Sequence, residues 1–200
     1  LSPLDQTKAR PLSTHSTDLP MSSFGAAFFI KDNAMHYHKL KAGTAPGTYV
    51  MESPVVTEED ILTMAKQLSR ARLCRGRALT DPTIVKDHLC TLLHDYEHEV
   101  FAVVLLDSQY RIIGFHELFH GTVNSATVYP REVVKLALKH NAVALIISHN
   151  HPSGDPTPSL ADIKLTKALK DALALVDVRV LDHIVVGLDG CMSLAETGQM

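Results

Sequence analysis

The apolar run Ala-Val-Ala-Leu-Ile-Ile-Ser at residues 142–148 places the strongest constraint on the fold. It does not alternate between apolar and polar residues, which is typical of a central β-strand covered on both faces. Residues 149–158, His-Asn-His-Pro-Ser-Gly-Asp-Pro-Thr-Pro, interrupt the pattern with prolines and glycine. A helical pattern begins after Ser159, its predicted N-cap. This strand, loop and helix predict a sheet with helices packed against it.

Three more helices are predicted from their periodicity and start signals. Thr57 caps the first, and acidic residues follow it directly. Asp81 caps the second, with Pro82 in the first helical position, and Pro130 lies near the start of the third. These helices would flank the strands along the chain.

Further strands are predicted around these helices. Residues 99–121 read as two strands joined by a turn near Asp107 and Ser108, and residues 178–187 form another before a short final strand. The order of elements predicts an α/β fold, with a mixed β-sheet that has helices on both faces.

The chain divides into three regions by composition. Residues 1–55 are frequent in Pro, Ser, Thr and Gly, and we expect an irregular, partly disordered N-terminal segment. Residues 56–79 form a helical lead-in, and residues 80–200 the main domain. This length suits one domain with a small appendage.

Composition excludes several classes of protein. The formal net charge is -3, which argues against general nucleic-acid binding, and no apolar run is long enough to span a bilayer. The three cysteines are far apart and form no CxxC motif, so we expect unpaired thiols, neither a disulfide framework nor a thiolate zinc site. These features predict a cytoplasmic protein without a membrane segment.

Two histidines end the apolar strand. Because side chains alternate across a strand, His149 and His151 point the same way, and Asn150 between them turns away from any metal. The proline-rich loop returns the chain as a helix whose first turn carries Asp162. Two imidazoles and one carboxylate match catalytic zinc, which keeps a fourth position for water. The sequence therefore predicts one Zn²⁺ held by His149, His151 and Asp162.

A hydrolase at this site also needs a proton carrier, because zinc lowers the pKa of its water to about 7 but does not deliver the proton to the leaving group. Glu117, on the predicted strand before the loop, is our candidate acid/base. Glu132 competes, but its place in the first turn of a helix is explained by the helix dipole. Ser159 can stabilise the oxyanion, although N-capping alone also explains it.

Other histidines have simpler explanations. His183 in an apolar strand is typical of a core residue with a satisfied hydrogen bond, and orienting a metal ligand is the alternative. His36 and His38 form a second His-x-His, but no serine and aspartate follow at the required spacing.

The sequence His-Asn-His-Pro-Ser-Gly-Asp-Pro-Thr-Pro-Ser-Leu-Ala-Asp, residues 149–162, matches the JAMM motif: His-x-His, seven residues, Ser, two residues, Asp. The chain resembles the RadC-like branch of the JAMM/MPN-domain zinc metalloproteases over roughly residues 80–200. The resemblance implies a cytidine-deaminase-like MPN fold in a bacterial-type protein. By motif position it implies the roles given above for the five residues.

The resemblance also implies two possible functions. It implies a zinc-dependent peptidase or isopeptidase acting on a peptide or protein of unknown identity. The alternative is a DNA-repair or mobile-element accessory protein of the RadC type, with zinc structural and binding as its role. Residues 1–75 do not match the helix-hairpin-helix region of longer relatives, which argues against direct DNA binding.

Overall fold

The computed structural model of the protein describes residues 37–74, 76–79, 81–121 and 128–200. The segment predicted to be irregular therefore lies outside the described residues up to residue 36. The described part contains the following elements in chain order: β1 (Leu40–Ala42), β2 (Tyr49–Met51), α1 (Glu58–Arg72), α2 (Pro82–Leu93), β3 (Val100–Leu106), β4 (Ile112–His120), α3 (Pro130–Lys139), β5 (Ala144–Asn150), α4 (Leu160–Ala174), β6 (Arg179–Gly187) and β7 (Gly190–Ser193).

A five-stranded sheet with the order β4-β3-β5-β6-β7 forms the centre of the fold. Strands β5 and β6 are parallel, and the other neighbouring pairs are antiparallel. The predicted mixed sheet flanked by helices is confirmed. Parallel β5 and β6 are joined by α4, as a crossover connection requires.

Every residue of β5 is buried, as its unbroken apolar run predicts. Leu145 and Ile147 pack in one core cluster with α3 and α4, whereas Ile146 packs in a second cluster with α2 on the other face. Alternation along this strand therefore decides which side chains meet which helices. The same alternation applies to the residues at its end.

The hairpin β1–β2 packs against α1 rather than against the main sheet. Tyr37, Leu40 and Met64 form a small buried cluster there. The sequence had indicated only loop in this stretch, because the two strands have three residues each and little periodicity. Their partner helix, distant in sequence, supplies the apolar surface that the short strands lack.

Asp60 connects this hairpin to the start of α1. Thr57 caps α1 as predicted, and Asp60 completes the capping box by accepting from the Thr57 backbone N–H at 2.8 Å. The Asp60 carboxylate also accepts from Lys39 Nζ and lies against His38 Nε2, each at 2.6 Å. The Lys39 ammonium, the Thr57 N–H and His38 hold the pKa of Asp60 well below its usual value.

Asp60→Asn is expected to lower the urea midpoint of unfolding at pH 7. Because the folded-state pKa of Asp60 is depressed, its contribution is fully present above the unfolded pKa, about 3.9, and fades as pH falls toward the folded value. The gap between wild type and variant should be constant above about pH 5 and narrow below about pH 4. Urea titrations across this range measure it, and a gap that widens on acidification contradicts the assignment.

The expectation of unpaired thiols is wrong for two of the three cysteines. Cys90 on α2 and Cys191 on β7 form a disulfide, with Cα atoms 6.2 Å apart, whereas Cys74 is free. The two paired residues are 101 positions apart, so only the packing of α2 beside β7 brings them together. Within the described ranges, no helix is long and apolar enough to cross a membrane.

Candidate metal centre

Three predicted ligands meet where β5 ends and α4 begins. His149 Nε2 lies 3.0 Å from His151 Nε2 and 3.3 Å from Asp162 Oδ1. His151 Nε2 lies 3.4 Å from Asp162 Oδ2. Among the residues that the structure describes, this is the one group of three or more His, Cys, Asp or Glu side chains arranged to hold an ion. His149 is buried and His151 is half-buried, so the site opens on the His151 side.

The capping box of α4 orients Asp162. Ser159 is the N-cap, as predicted, and its Oγ donates to Asp162 Oδ2 at 2.6 Å while its backbone N–H donates to the same oxygen at 2.7 Å. These bonds fix the carboxylate and aim Oδ1 at His149. In this arrangement the Ser159 hydroxyl is hydrogen-bonded to Asp162, and its role in stabilising an oxyanion stays a prediction.

Two glycines shape the loop between the histidines and Ser159. Gly154 has a φ of 93°, in the left-handed region that favours glycine, and its N–H donates to the His151 carbonyl. On β6, a Cβ on Gly187 would lie 2.2 Å from the Gly154 carbonyl oxygen, so only glycine lets the loop approach the strand. This close approach brings the chain back toward the strand end that carries the histidines.

A backbone carbonyl fixes the tautomer of His151. Its Nδ1 lies 2.8 Å from the Asp155 carbonyl oxygen, which can only accept. Nδ1 therefore carries the proton, and Nε2 of the neutral ring has a lone pair directed toward His149 and Asp162. The loop thus prepares His151 as a ligand.

A longer chain of hydrogen bonds fixes the tautomer of His149. Thr166 Oγ1 donates to the Asp162 carbonyl at 2.6 Å, so it must accept from His183 Nδ1, also at 2.6 Å. Burial lowers the pKa of His183 well below its usual value, and its neutral Nε2 accepts from His149 Nδ1 at 2.8 Å. His149 Nε2 is left with a lone pair toward the site, so His183 orients a ligand.

The donor set fits a divalent zinc ion. Two imidazole lone pairs 3.0 Å apart repel each other unless a proton or a cation lies between them. Ligands about 2.0–2.1 Å from a tetrahedral ion are roughly 3.3–3.4 Å apart, close to the three separations found here. Two nitrogens and one carboxylate oxygen also match the ligands that zinc takes in catalytic sites.

The charges around the site favour an ionised carboxylate. Burial opposes ionisation of Asp162, but the contacts of its carboxylate with the His149 and His151 rings, together with the hydrogen bond from Ser159, outweigh it and hold its pKa below the usual value. The Asp162 carboxylate raises the pKa of His151 against the effect of burial, and the Asp155 carbonyl and the negative charge of Glu99 act in the same direction.

Comparison with known proteins agrees with this geometry. The family model described as the RadC-like JAB domain matches residues 79–199, which is more than half of the chain. The chain belongs to the RadC-like JAB domain family. The resemblance seen in the sequence is thereby confirmed, and the four helices and five-stranded sheet are consistent with a JAB domain.

Curated relatives of this JAB domain are bacterial and are called UPF0758 proteins. One from Vibrio cholerae is 58% identical over 141 residues, covering 70% of this chain and 89% of that protein. One from Shewanella baltica is 53% identical over 135 residues, covering 68% of this chain. The match covers 60% of the Shewanella protein, so this chain spans only part of the length of that relative.

The JAB domain does not bring Glu117 to the three ligands. Glu117 in β4 pairs with Ala102 in β3. Phe101, the residue before Ala102 in β3, pairs with His149 in β5. Neighbouring residues of a strand point to opposite faces, so Glu117 and His149 lie on opposite faces of the sheet. The Glu117 carboxylate instead accepts from Arg70 Nη2 at 2.8 Å and from the Tyr96 hydroxyl at 3.1 Å.

Glu99 is the glutamate that precedes β3 on the face of the sheet that carries His149. The recorded pairing of β3 with β5 ends at Phe101 and His149; the same register extended outward by two residues would set Glu99 opposite His151. Residues opposite each other on one face have Cβ atoms about 4.5–5.5 Å apart. The influence of Glu99 on the pKa of His151 agrees with this placement. In the sequence, Glu99 is recognisable only as a glutamate two positions before Phe101. Its relation to His151 becomes visible only once β3 is known to pair with β5.

The remaining candidates lie away from the three ligands or bind other groups. Glu132, in the first turn of α3, is paired with Lys135 at 2.9 Å, as its helix-dipole interpretation allows. His38 contacts Asp60, and its predicted partner His36 lies outside the described residues.

Proposed function

We propose that this JAB domain is a zinc-dependent hydrolase that cuts a peptide or isopeptide bond. The observation that carries the proposal is the convergence of His149 Nε2, His151 Nε2 and the oriented Asp162 carboxylate. We propose Glu99 as the acid/base, because the register of β3 and β5, extended by two residues, points toward it. His149, His151 and Asp162 would hold the ion. A fourth side is left for water and substrate, where His151 is half-buried.

Zinc held by these residues would act as a Lewis acid, which makes water acidic near neutral pH and polarises a carbonyl. The chain itself supplies the rest. The Glu99 carboxylate accepts the proton of the attacking water and returns it to the leaving amine, as general acid–base catalysis requires. A position opposite His151 would suit both transfers, because attack and departure occur at the same carbonyl carbon.

Two groups hold the ligands during this reaction. The Ser159 hydroxyl and backbone N–H keep Asp162 in place, and the Thr166–His183 pair keeps His149 in one tautomer. For Ser159 to stabilise an oxyanion as well, its hydroxyl has to turn from Asp162 to the substrate. We therefore assign Ser159 first to ligand orientation.

Metal analysis and a substrate screen test the proposal. Purified protein should contain about one zinc per chain. It should cleave members of a library of peptides and isopeptide-linked conjugates, lose the activity on chelation, and regain it when Zn²⁺ is restored. Cleavage unaffected by chelation would assign the activity to another site. Zinc binding with no cleavage across the library, together with salt-dependent DNA binding, favours the accessory-protein alternative.

A further inference from the structure

Asn150, between the two histidine ligands, is buried and makes three hydrogen bonds away from the metal. Its side chain is 1% exposed and lies on the face of the sheet opposite His149 and His151. Its Oδ1 accepts from the Val100 N–H at 2.7 Å. Its Nδ2 donates to the carbonyls of Tyr96 and His98, at 3.2 and 3.1 Å.

All three partners belong to one short segment, residues 96–100, that leads into β3. Glu99 lies in this segment, between the His98 carbonyl and the Val100 N–H that Asn150 binds. Asn150 is itself joined by peptide bonds to both predicted ligands, His149 and His151. Asn150 thus links the two histidines to the backbone on both sides of Glu99.

The amide group is the side chain that these partners require. An N–H can only donate and two carbonyls can only accept, so the binding group needs one acceptor and two donors. An aspartate lacks the donors, and a leucine would leave the buried Val100 N–H and the two carbonyls without these bonds. From the sequence, alternation along the strand predicted only that Asn150 turns away from the metal.

We propose that Asn150 is a positioning residue, which holds Glu99 at a fixed place beside His149, His151 and Asp162. The proposal rests on the proposed function, because it assumes that Glu99 transfers the proton. A displacement of about 1 Å at a reacting group costs on the order of 100-fold in rate. Three hydrogen bonds to the segment on both sides of Glu99 limit such a displacement.

Ser148 provides a matched control. It lies on β5 two residues before Asn150, faces the same side of the sheet and is also 1% exposed. Its Oγ donates to the Ile184 carbonyl on β6 at 2.9 Å, and not to the segment that carries Glu99. Ser148→Ala therefore removes a buried hydrogen bond from the same strand without releasing Glu99.

The kinetic test compares Asn150→Ala with Ser148→Ala. We expect Asn150→Ala to lower kcat about 10- to 100-fold, with KM changed less than about threefold and zinc still bound. Ser148→Ala should keep kcat within about threefold of wild type. In a Glu99→Gln background, Asn150→Ala should cause no further loss, because the group that it positions is already inactive. Equal losses in Asn150→Ala and Ser148→Ala, or full additivity with Glu99→Gln, overturn the proposal.

Crystal structures of the two zinc-loaded variants provide a test that needs no activity. In Asn150→Ala the Glu99 carboxylate should move by more than about 1 Å relative to the three ligands, and in Ser148→Ala it should stay in place. An unmoved Glu99 in Asn150→Ala overturns the positioning role. If wild-type protein cleaves nothing but Glu99 moves as expected, the proposed function fails and the positioning of Glu99 stands.

Discussion

Replacing Glu99 by glutamine is expected to lower kcat about 10²- to 10⁴-fold while zinc binding is retained. Glutamine keeps the size of the side chain but cannot accept the proton of the attacking water. The loss should appear in kcat rather than in KM, since the proton moves only during the chemical step. Steady-state kinetics on a substrate found in the library screen, with zinc analysis of the same samples, measure both quantities.

Glu117→Gln is the matched control for this prediction. It makes the same chemical change on the other face of the sheet, where it weakens contacts with Arg70 and Tyr96. Since the Arg70 side chain is 53% exposed, the ion pair contributes at most about 1 kcal/mol to stability. We expect Glu117→Gln to retain most of the activity. The opposite result, an inactive Glu117→Gln beside an active Glu99→Gln, restores Glu117 as the acid/base.

Removing a ligand is expected to have the second large effect. His151→Ala and His149→Ala should each weaken zinc binding by more than about 100-fold, beyond the 10- to 100-fold typical of losing a residue that orients a ligand. Activity should fall with the bound metal. Zinc competition with a chromophoric chelator measures the affinity, and the unfolding midpoint reports whether each variant is folded.

Two further variants serve as references for the zinc affinities of His151→Ala and His149→Ala. His183→Ala removes the acceptor for His149 Nδ1 and should weaken zinc binding by about 10- to 100-fold. His88→Ala, on α2 at the other face of the sheet, should leave the affinity unchanged. Wild-type affinity in His151→Ala would mean that zinc is held elsewhere in the chain.

The position of the proposed acid/base shows why residues close together in the sequence are easier to assign to a site than residues far apart. His149, His151, Ser159 and Asp162 lie within fourteen residues, and local rules relate them: alternation in a strand, a turn and a capping box. Glu99 is fifty residues from His149, and its relation to the site depends on which strands are neighbours. The sequence suggested a glutamate near the site but did not give the strand order that distinguishes Glu99 from Glu117.

The disulfide and the N-terminal hairpin have the same explanation. Cys90 and Cys191 meet because α2 packs beside β7, and β1 and β2 form because α1 covers them. Neither result follows from a local pattern. The helix starts at Thr57, Asp81 and Ser159 were predicted correctly, because each is decided by side chains within a few residues of the cap.

The sequence by itself determined the α/β class, the helix starts, the buried strand β5 and the three metal-ligand candidates. These depend on periodicity and on contacts between residues that are close along the chain. Only the tertiary structure decided the strand order, and with it the face on which each glutamate lies. It also revealed that His183 orients His149 and that Asn150 binds the Glu99 segment, since these hydrogen bonds join residues 34 and about fifty positions apart. Such contacts are decided by packing of the whole chain, which local patterns do not specify.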